Sequence, residues 1–320
     1  MKYEITLDGG GSKLQTILFD EEYRCVATAR SGNINMNFAS AETIEKNVDD
    51  CFKHLFKDVS PDQIECVYGA FVGDTQKALQ QLSALVPVRE SDIVGEARLG
   101  LLAAGEPSDG ILALSGTGSD IFLVQNKEEA DVVGGWGALI SDEGSGYYIG
   151  RMAVNAAIRD VDGRGPHTLL TELIQKEMGR TRLKDAVFAV YATGAAVTQI
   201  AKFVRLVSLA VQQGDEVACS ILEENARAMA EQTAVMIRRH PEAAQLPIFV
   251  AGGAWKTRSY VDRYRTHIKQ LLPNMEVRLP LFEPVMGGVI ASICRRDGRL
   301  SSQMLALLRE NFPQFCYKQD

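Results

Sequence analysis

One short pattern occurs twice in the chain, with Leu7 and Leu114 as equivalent positions 107 residues apart. Leu7-Asp8-Gly9-Gly10-Gly11-Ser12 and Leu114-Ser115-Gly116-Thr117-Gly118-Ser119 each follow an apolar run, turn on glycines and end in serine. A second apolar run follows each, Leu14 to Phe19 and Ile121 to Val124. Two such runs joined by glycines read as strands connected by a tight turn. Solenoid repeats recur every ~20–50 residues, so a repeat at this wider spacing marks two related domains. Pro107-Ser108-Asp109-Gly110 forms a turn-rich joint ahead of the second copy. The boundary is placed there, giving an N-terminal lobe over 1–109 and a C-terminal lobe over 110–320.

The remaining pattern mixes strands and helices. Tyr3 to Leu7, Leu14 to Phe19 and Tyr23 to Ala29 read as a three-stranded antiparallel meander. Residues 40–57 carry helical spacing at Ile44, Val48, Cys51, Phe52 and Leu55, with Ser40 as N-cap. Ile64 to Val72 reads as a strand, Gln76 to Leu85 and 96–104 as helices. Beyond Gly144, helices are expected near 145–160, 168–178, 194–213 and 215–239, the last capped by Asp215 and ended by Pro241. Leu246 to Ala251 and Met275 to Leu279 read as strands, with a helix between them and two more after. This is an α/β fold. Whether the helix near 300–311 packs back on the first lobe is left open.

Composition limits the partners. The chain has 320 residues, 46% hydrophobic and 23% charged, with a net charge of −7. No basic cluster exceeds pairs such as Arg238-Arg239, so neither nucleic acid nor a membrane surface is an expected partner. No apolar run approaches ~18 residues, the length of a spanning helix. The opening MKYEITLDGG lacks a leader pattern, and the six cysteines contain no C-x-x-C pair. Both features fit a reducing cytoplasm. The four histidines are scattered without ligand spacing.

Three glycine-rich turns each follow a strand: Asp8 to Ser12, Ser115 to Ser119, and Gly252-Gly253. Glycine lets backbone amides approach a phosphate, and Ser12, Thr117 and Ser119 add hydroxyls. Asp8 offers a carboxylate suited to Mg²⁺ held largely by water. A single glycine turn between two strands is more often just a hairpin; three together favour phosphate. No G-x-x-x-x-G-K-[ST] loop is present, since Lys13 follows Ser12 in the reverse order, and G-x-G-x-x-G is absent too. The densest segment runs Gly134-Gly135-Trp136-Gly137 to Ser141-Asp142-Glu143-Gly144-Ser145, just before a helix. A flat indole beside an aspartate suits a sugar, and the helix N-terminus favours negative charge. The same loop could instead be a strained turn, with Asp142 and Glu143 as caps.

Taken in order, these motifs, with Ala251-Gly252-Gly253-Ala254-Trp255-Lys256, resemble the N-acetylglucosamine kinase group of the BadF/BadG/BcrA/BcrD-type ATPase family. That family lies in the actin–hexokinase–Hsp70 superfamily, and the resemblance spans residues 1 to about 292. It implies two related actin/ribonuclease-H-like domains with an interdomain cleft, acting on ATP with Mg²⁺ as a homodimer. By resemblance, Asp8 serves Mg²⁺, while Gly10, Gly11, Ser12 and Lys13 form the first phosphate loop. Gly116, Thr117 and Gly118 form the second, and Gly252, Gly253 and Lys256 line the adenosine pocket. Asn33, Asn35, Ser119, Gly135, Trp136, Gly137 and Asp142 hold an amino sugar.

One departure stands out. Where the family carries an aspartate as general base, this chain reads Asp92-Ile93-Val94-Gly95-Glu96-Ala97. Glu96 takes that place, its carboxylate one methylene further out; read from the residues alone, it is equally a solvated acid in a first helical turn. Asp92 is a nearby alternative that precedes the turn. The resulting expectation is a kinase acting on N-acetylglucosamine or glucosamine at the 6-hydroxyl. The alternatives are an ATPase of the dehydratase-activator type, a kinase for another hexose derivative, and a sugar-responsive regulator. The last requires a helix-turn-helix domain, for which a phosphate loop at residue 8 leaves no room.

Overall fold

The computed structural model describes residues 2–71, 75–106 and 109–319. Val72 of the expected fourth strand, and Pro107 and Ser108 of the expected joint, lie outside them.

Strands β1 (Tyr3–Gly9), β2 (Leu14–Asp20) and β3 (Cys25–Ser31) form the expected antiparallel meander. Helix α1 (Ala41–Leu55) starts at Ser40, whose Oγ accepts from the Thr43 amide at 3.3 Å. Then come β4 (Ile64–Phe71), α2 (Thr75–Leu85), β5 (Val88–Ile93) and α3 (Glu96–Ala103). The pattern restarts with β6 (Gly110–Ser115), β7 (Ser119–Gln125) and β8 (Glu128–Gly134). A helical stretch follows: α4 (Gly146–Val161), α5 (Leu170–Glu177), α6 (Leu183–Ala192), α7 (Ala196–Ala201), α8 (Val204–Gln212) and α9 (Glu216–Arg239). The chain closes with β9 (Ile248–Ala251), α10 (Arg258–Leu271), β10 (Val277–Arg278), α11 (Met286–Asp297) and α12 (Ser302–Asn311).

The repeat seen in the turns extends to whole sheets. One sheet has the order β3-β2-β1-β4-β5 and the other β8-β7-β6-β9-β10, so each strand of the first has its counterpart in the second. In both sheets the fourth strand lies parallel to the first and to the fifth. The copies differ at one connection. A single helix, α1, joins the third and fourth strands of the first sheet; six helices, α4 to α9, join those of the second.

The chain divides into two compact units: Met1–Gly110, Val124–Ala130 and Leu279–Tyr317 in the first, Ile111–Leu123, Asp131–Arg278 and Lys318–Asp320 in the second. Residues 279–317, assigned above to the second lobe, therefore belong to the first unit. The reason is packing across a long sequence separation. Met286, Val289, Ile290 and Ile293 of α11 share one buried cluster with Phe19, Tyr68, Leu308 and Phe312. The opposite face of the same sheet buries Ile5, Leu7, Leu18 and Val67 against Ile44, Val48, Phe52 and Leu82 of α1 and α2. In the second unit, Trp255, Tyr260 and Tyr264 are wholly buried. The Trp255 and Tyr260 rings stack 4.4 Å apart, an arrangement worth about 1 kcal/mol beyond the area buried.

Asp215 does more than cap α9. Its Oδ1 accepts from the Ala218 amide at 2.7 Å, and its Oδ2 accepts from Thr168 Oγ1 at 2.9 Å and the Leu169 amide at 2.7 Å. One carboxylate thus starts the longest helix and ties it to the residues leading into α5. Asp215→Ala is expected to cost about 2 kcal/mol, the upper end for a cap, because three donors lose their acceptor. Equilibrium denaturation of the variant measures this.

Candidate active site

In the first unit the candidate residues lie within 2–35 and at Asp92 and Glu96. Strand β1 ends at Gly9, and the Gly10 amide donates to the Lys13 carbonyl at 3.0 Å, closing the turn. Asp8 Oδ2 lies 3.1 Å from Lys13 Nζ, which also reaches Gln15 Oε1 at 2.5 Å. Ser12 is exposed at the tip, beside Gly11. The Ile34 amide donates to the Gly10 carbonyl at 3.2 Å, which brings residues 31–35 alongside this turn. Asn33 Oδ1 is buried and has no hydrogen-bond partner among the described residues. The Asn33 backbone carbonyl accepts from Asn47 Nδ2 at 2.7 Å, so α1 anchors the segment. Asn35 Oδ1 accepts from the Asn37 amide at 2.8 Å, shaping the next turn. Glu96 opens α3, half-buried, after Gly95. Asp92 sits inside β5 opposite Tyr68, ahead of the turn as expected.

The second unit joins three motifs that are distant in sequence. The Gly116 amide donates to the Gly118 carbonyl at 2.9 Å, closing the second turn. Gly252 packs against it. With φ at +106°, an added Cβ at Gly252 would overlap the Ser115 carbonyl and lie 2.9 Å from the Gly116 nitrogen. Gly253 and Lys256 belong to the short 3₁₀ turn that follows, and Trp255 Nε1 within it donates to the Ala113 carbonyl at 2.9 Å. The acid-bearing loop meets the same turn from another side. Ser119 is wholly buried, and its Oγ donates to the Glu143 carbonyl at 3.0 Å, so its hydroxyl braces the loop. Asp142, also buried, accepts the Gly137 amide on Oδ1 at 3.0 Å and lies against Gly118. Burial pushes the Asp142 carboxyl above its usual range, against the pull of the Gly137 and Ser119 amides. The Gly135 amide donates to the Ser119 carbonyl at 3.2 Å, while Trp136 projects outward, 78% exposed.

The start of α4 differs from expectation. Its first amides are not left for an anion: Gly146 donates to the Gly116 carbonyl at 2.8 Å, Tyr147 to the Thr117 carbonyl at 3.3 Å, and Tyr148 to Ser145 Oγ at 3.1 Å. The helix end holds the glycine turn, and Ser145, not Asp142 or Glu143, is the cap.

Several residues here escape sequence reasoning. Asp120 directly follows the second turn, and its carboxylate lies against Gly135. Its position next to Ser119 is a signal that could have found it. Asn47, Asn225 and Tyr260 reach the candidate loops from helices 14, 81 and 116 residues away in sequence, and no local pattern marks them.

Among the described residues no three His, Cys, Asp or Glu side chains group as metal ligands. Asp8, a single carboxylate beside Lys13, fits a divalent cation carried mainly by phosphate and water oxygens.

The fold has solved counterparts. A Porphyromonas gingivalis protein provisionally named an N-acetylglucosamine kinase matches with a TM-score of 0.69 and 19% identity, over 92% of this chain and 99% of its own. A ROK family glucokinase from Streptomyces griseus, solved with glucose and AMPPNP, matches with a TM-score of 0.62 and 16% identity, over 92% and 99%. The two five-stranded sheets are thus of the actin/ribonuclease-H-like kind. The pattern defining the BadF/BadG/BcrA/BcrD ATPase family matches residues 5–292.

The chain belongs to the BadF/BadG/BcrA/BcrD ATPase family.

This BadF/BadG/BcrA/BcrD protein is 28% identical over 300 residues to an N-acetylmuramic acid/N-acetylglucosamine kinase of Clostridium acetobutylicum, covering 91% of this chain and 98% of the relative. It is 25% identical over 312 residues to an N-acetyl-D-glucosamine kinase of Dictyostelium discoideum, covering 90% and 97%. Among the described residues no helix is long and apolar enough to cross a membrane.

Because Gly252 is held by its neighbours, Gly252→Ala is expected to cost roughly 3 kcal/mol through backbone strain and displacement of the second turn. Chemical denaturation checks the loss.

Proposed function

We propose that this chain is an ATP-dependent amino-sugar kinase that phosphorylates N-acetylglucosamine or glucosamine on the 6-hydroxyl. The observation that carries the reading is Asn33 Oδ1, a buried acceptor without a partner among the described residues, beside the Asp8 turn. An unmet buried acceptor costs about 1–3 kcal/mol, which a hydroxyl or amide donor of a bound sugar offsets. The names of the Clostridium and Dictyostelium relatives support the same substrate class.

In this reading Asn33 accepts from the sugar. Asp142 accepts from sugar hydroxyls through the lone pairs left by its two backbone donors. Gly135 and Gly137 hold the loop backbone, Trp136 covers the sugar's apolar face, and Asn35 and Ser119 shape the loops that carry these groups. Gly11, Ser12 and Lys13 bind phosphate oxygens, as do Thr117 and Gly118, on turns that the Gly10 and Gly116 amides close, while Gly252, Gly253 and Lys256 line the adenosine side. Asp8 would hold Mg²⁺, which would neutralise phosphate charge. Glu96 takes the proton from the sugar hydroxyl as its oxygen bonds to the γ-phosphorus and the bond to the ADP oxygen breaks. The six free cysteines accord with a reducing cytoplasm, and a homodimer completes the proposal.

ADP release with MgATP across a panel of sugars, with a no-sugar control, tests this. One amino sugar should stimulate strongly; release unchanged by every sugar points to an ATPase without sugar transfer. Glu96→Gln should lower turnover by about 10²–10⁴-fold and leave MgATP binding intact. Asp8→Asn should lower both, and normal rates in Glu96→Gln would remove Glu96 as the base.

The raised Asp142 pKa adds a pH prediction. Its carboxylate forms only above the ordinary 3.8, so the sugar KM should fall as pH climbs through the raised value. Asp142→Asn should lose that dependence. For stability the sign is reversed: the folded chain holds this proton more tightly than the unfolded chain. The residue's contribution to stability therefore shrinks as pH rises from 3.8 to the raised value.

A further inference from the structure

The backbone of Gly144 is gripped from three directions. Its amide donates to Asn225 Oδ1 of α9 at 2.9 Å. Its carbonyl accepts from Ser115 Oγ, at the end of β6, at 2.6 Å and from Tyr260 OH of α10 at 2.8 Å. The gripping side chains are themselves immobile. Asn225 is 1% exposed, and its Nδ2 donates to the Ile221 carbonyl at 2.8 Å and to Met152 Sδ at 3.2 Å. The Tyr260 ring is wholly buried in its stack on Trp255. Only glycine fits: φ is +93°, and a Cβ would overlap Met229 and lie 2.9 Å from Tyr260 OH.

Gly144 stands two residues after Asp142 and one before the cap of α4. The second glycine turn is set by the strands on either side of it, β6 and β7, and by the first amides of α4. The loop carrying Asp142 is tied to it through Ser119 Oγ and through this grip on Gly144. We infer that Asn225 and Tyr260 are positioning residues for phosphoryl transfer, fixing Asp142 relative to the second glycine turn through the backbone of Gly144. The inference rests on the kinase reading above. Neither residue touches sugar or nucleotide in that reading. They act through the geometry of the loop, where an error of about 1 Å can cost about 100-fold.

Steady-state kinetics of the purified full chain with MgATP and N-acetylglucosamine test this, with thermal unfolding of each variant recorded alongside. Tyr260→Phe removes one hydroxyl and keeps the stacked ring, so it decides the question if Asn225→Ala fails to fold. Tyr264→Phe is the control. It deletes a hydroxyl from the same core, one that bonds Thr233 at 2.8 Å instead of Gly144. Tyr260→Phe and Asn225→Ala should raise the sugar KM about tenfold and change the MgATP KM less than about twofold. Tyr264→Phe should leave both unchanged. A merely stabilising role would lower the folded fraction without moving the sugar KM. Wild-type turnover with an unchanged sugar KM in Tyr260→Phe overturns this inference alone. No sugar-dependent ADP release from the wild-type chain overturns the kinase reading and this inference with it.

Discussion

Strands β1 and β6 each have hydrogen-bonded neighbours on both edges. In β1, Ile5, Thr6 and Leu7 are wholly buried, and Ile111, Leu112 and Ala113 of β6 are too. Strands so enclosed offer no backbone group or side chain to a ligand along their length. Their ends are different, because the chain must turn there and its polar groups need partners. Asp8 and Ser115 occupy those ends, each followed by glycines that close a turn on themselves. The candidate chemistry therefore lies at strand ends because the sheets leave it nowhere else.

Much of this was legible in the sequence where a local rule applies. Ser40 and Asp215 signal their helices because a cap needs a particular side chain at a particular offset. The paired glycine turns reveal the duplication because the same short pattern recurs between two apolar runs. Two of the four edge strands were not legible. Strands β5 and β8 read VRESDI and EEADVVG, polar and acidic runs without the clean alternation of a half-buried strand. The expected helix over 194–213 is two helices, α7 and α8. Its apolar spacing runs on through Lys202 and Phe203, while the Ile200 and Ala201 carbonyls end against Gly150 and Gly146 of α4. That boundary is set by a neighbouring helix and leaves no mark in its own residues.

The candidate site divides the same way. Glycines, Asp8 and Asp142 announce themselves through residue type and motif, and Asn33 only through the family resemblance. Their supports do not, because a hydrogen bond from α9 or α10 to the backbone of Gly144 asks nothing of the intervening chain. Ser119 illustrates the converse. Its hydroxyl looked available in sequence, but the fold directs it to the Glu143 carbonyl.

The six-helix connection of the second copy has uneven freedom. Its first helix, α4, ties its leading amides to the Gly116 turn, and its last, α9, supplies Asn225. Both ends are thus committed to loop geometry. Between them, residues 168–214 begin and end beside the Asp215 carboxylate, which joins Thr168 and Leu169 to the start of α9. Away from the contact of Ile200 and Ala201 with α4, this stretch can lengthen or shorten at small entropic cost, since closure grows only with the logarithm of length. Chains built on this plan could then diverge in size through that middle portion, with the glycine turn and its loop left in register.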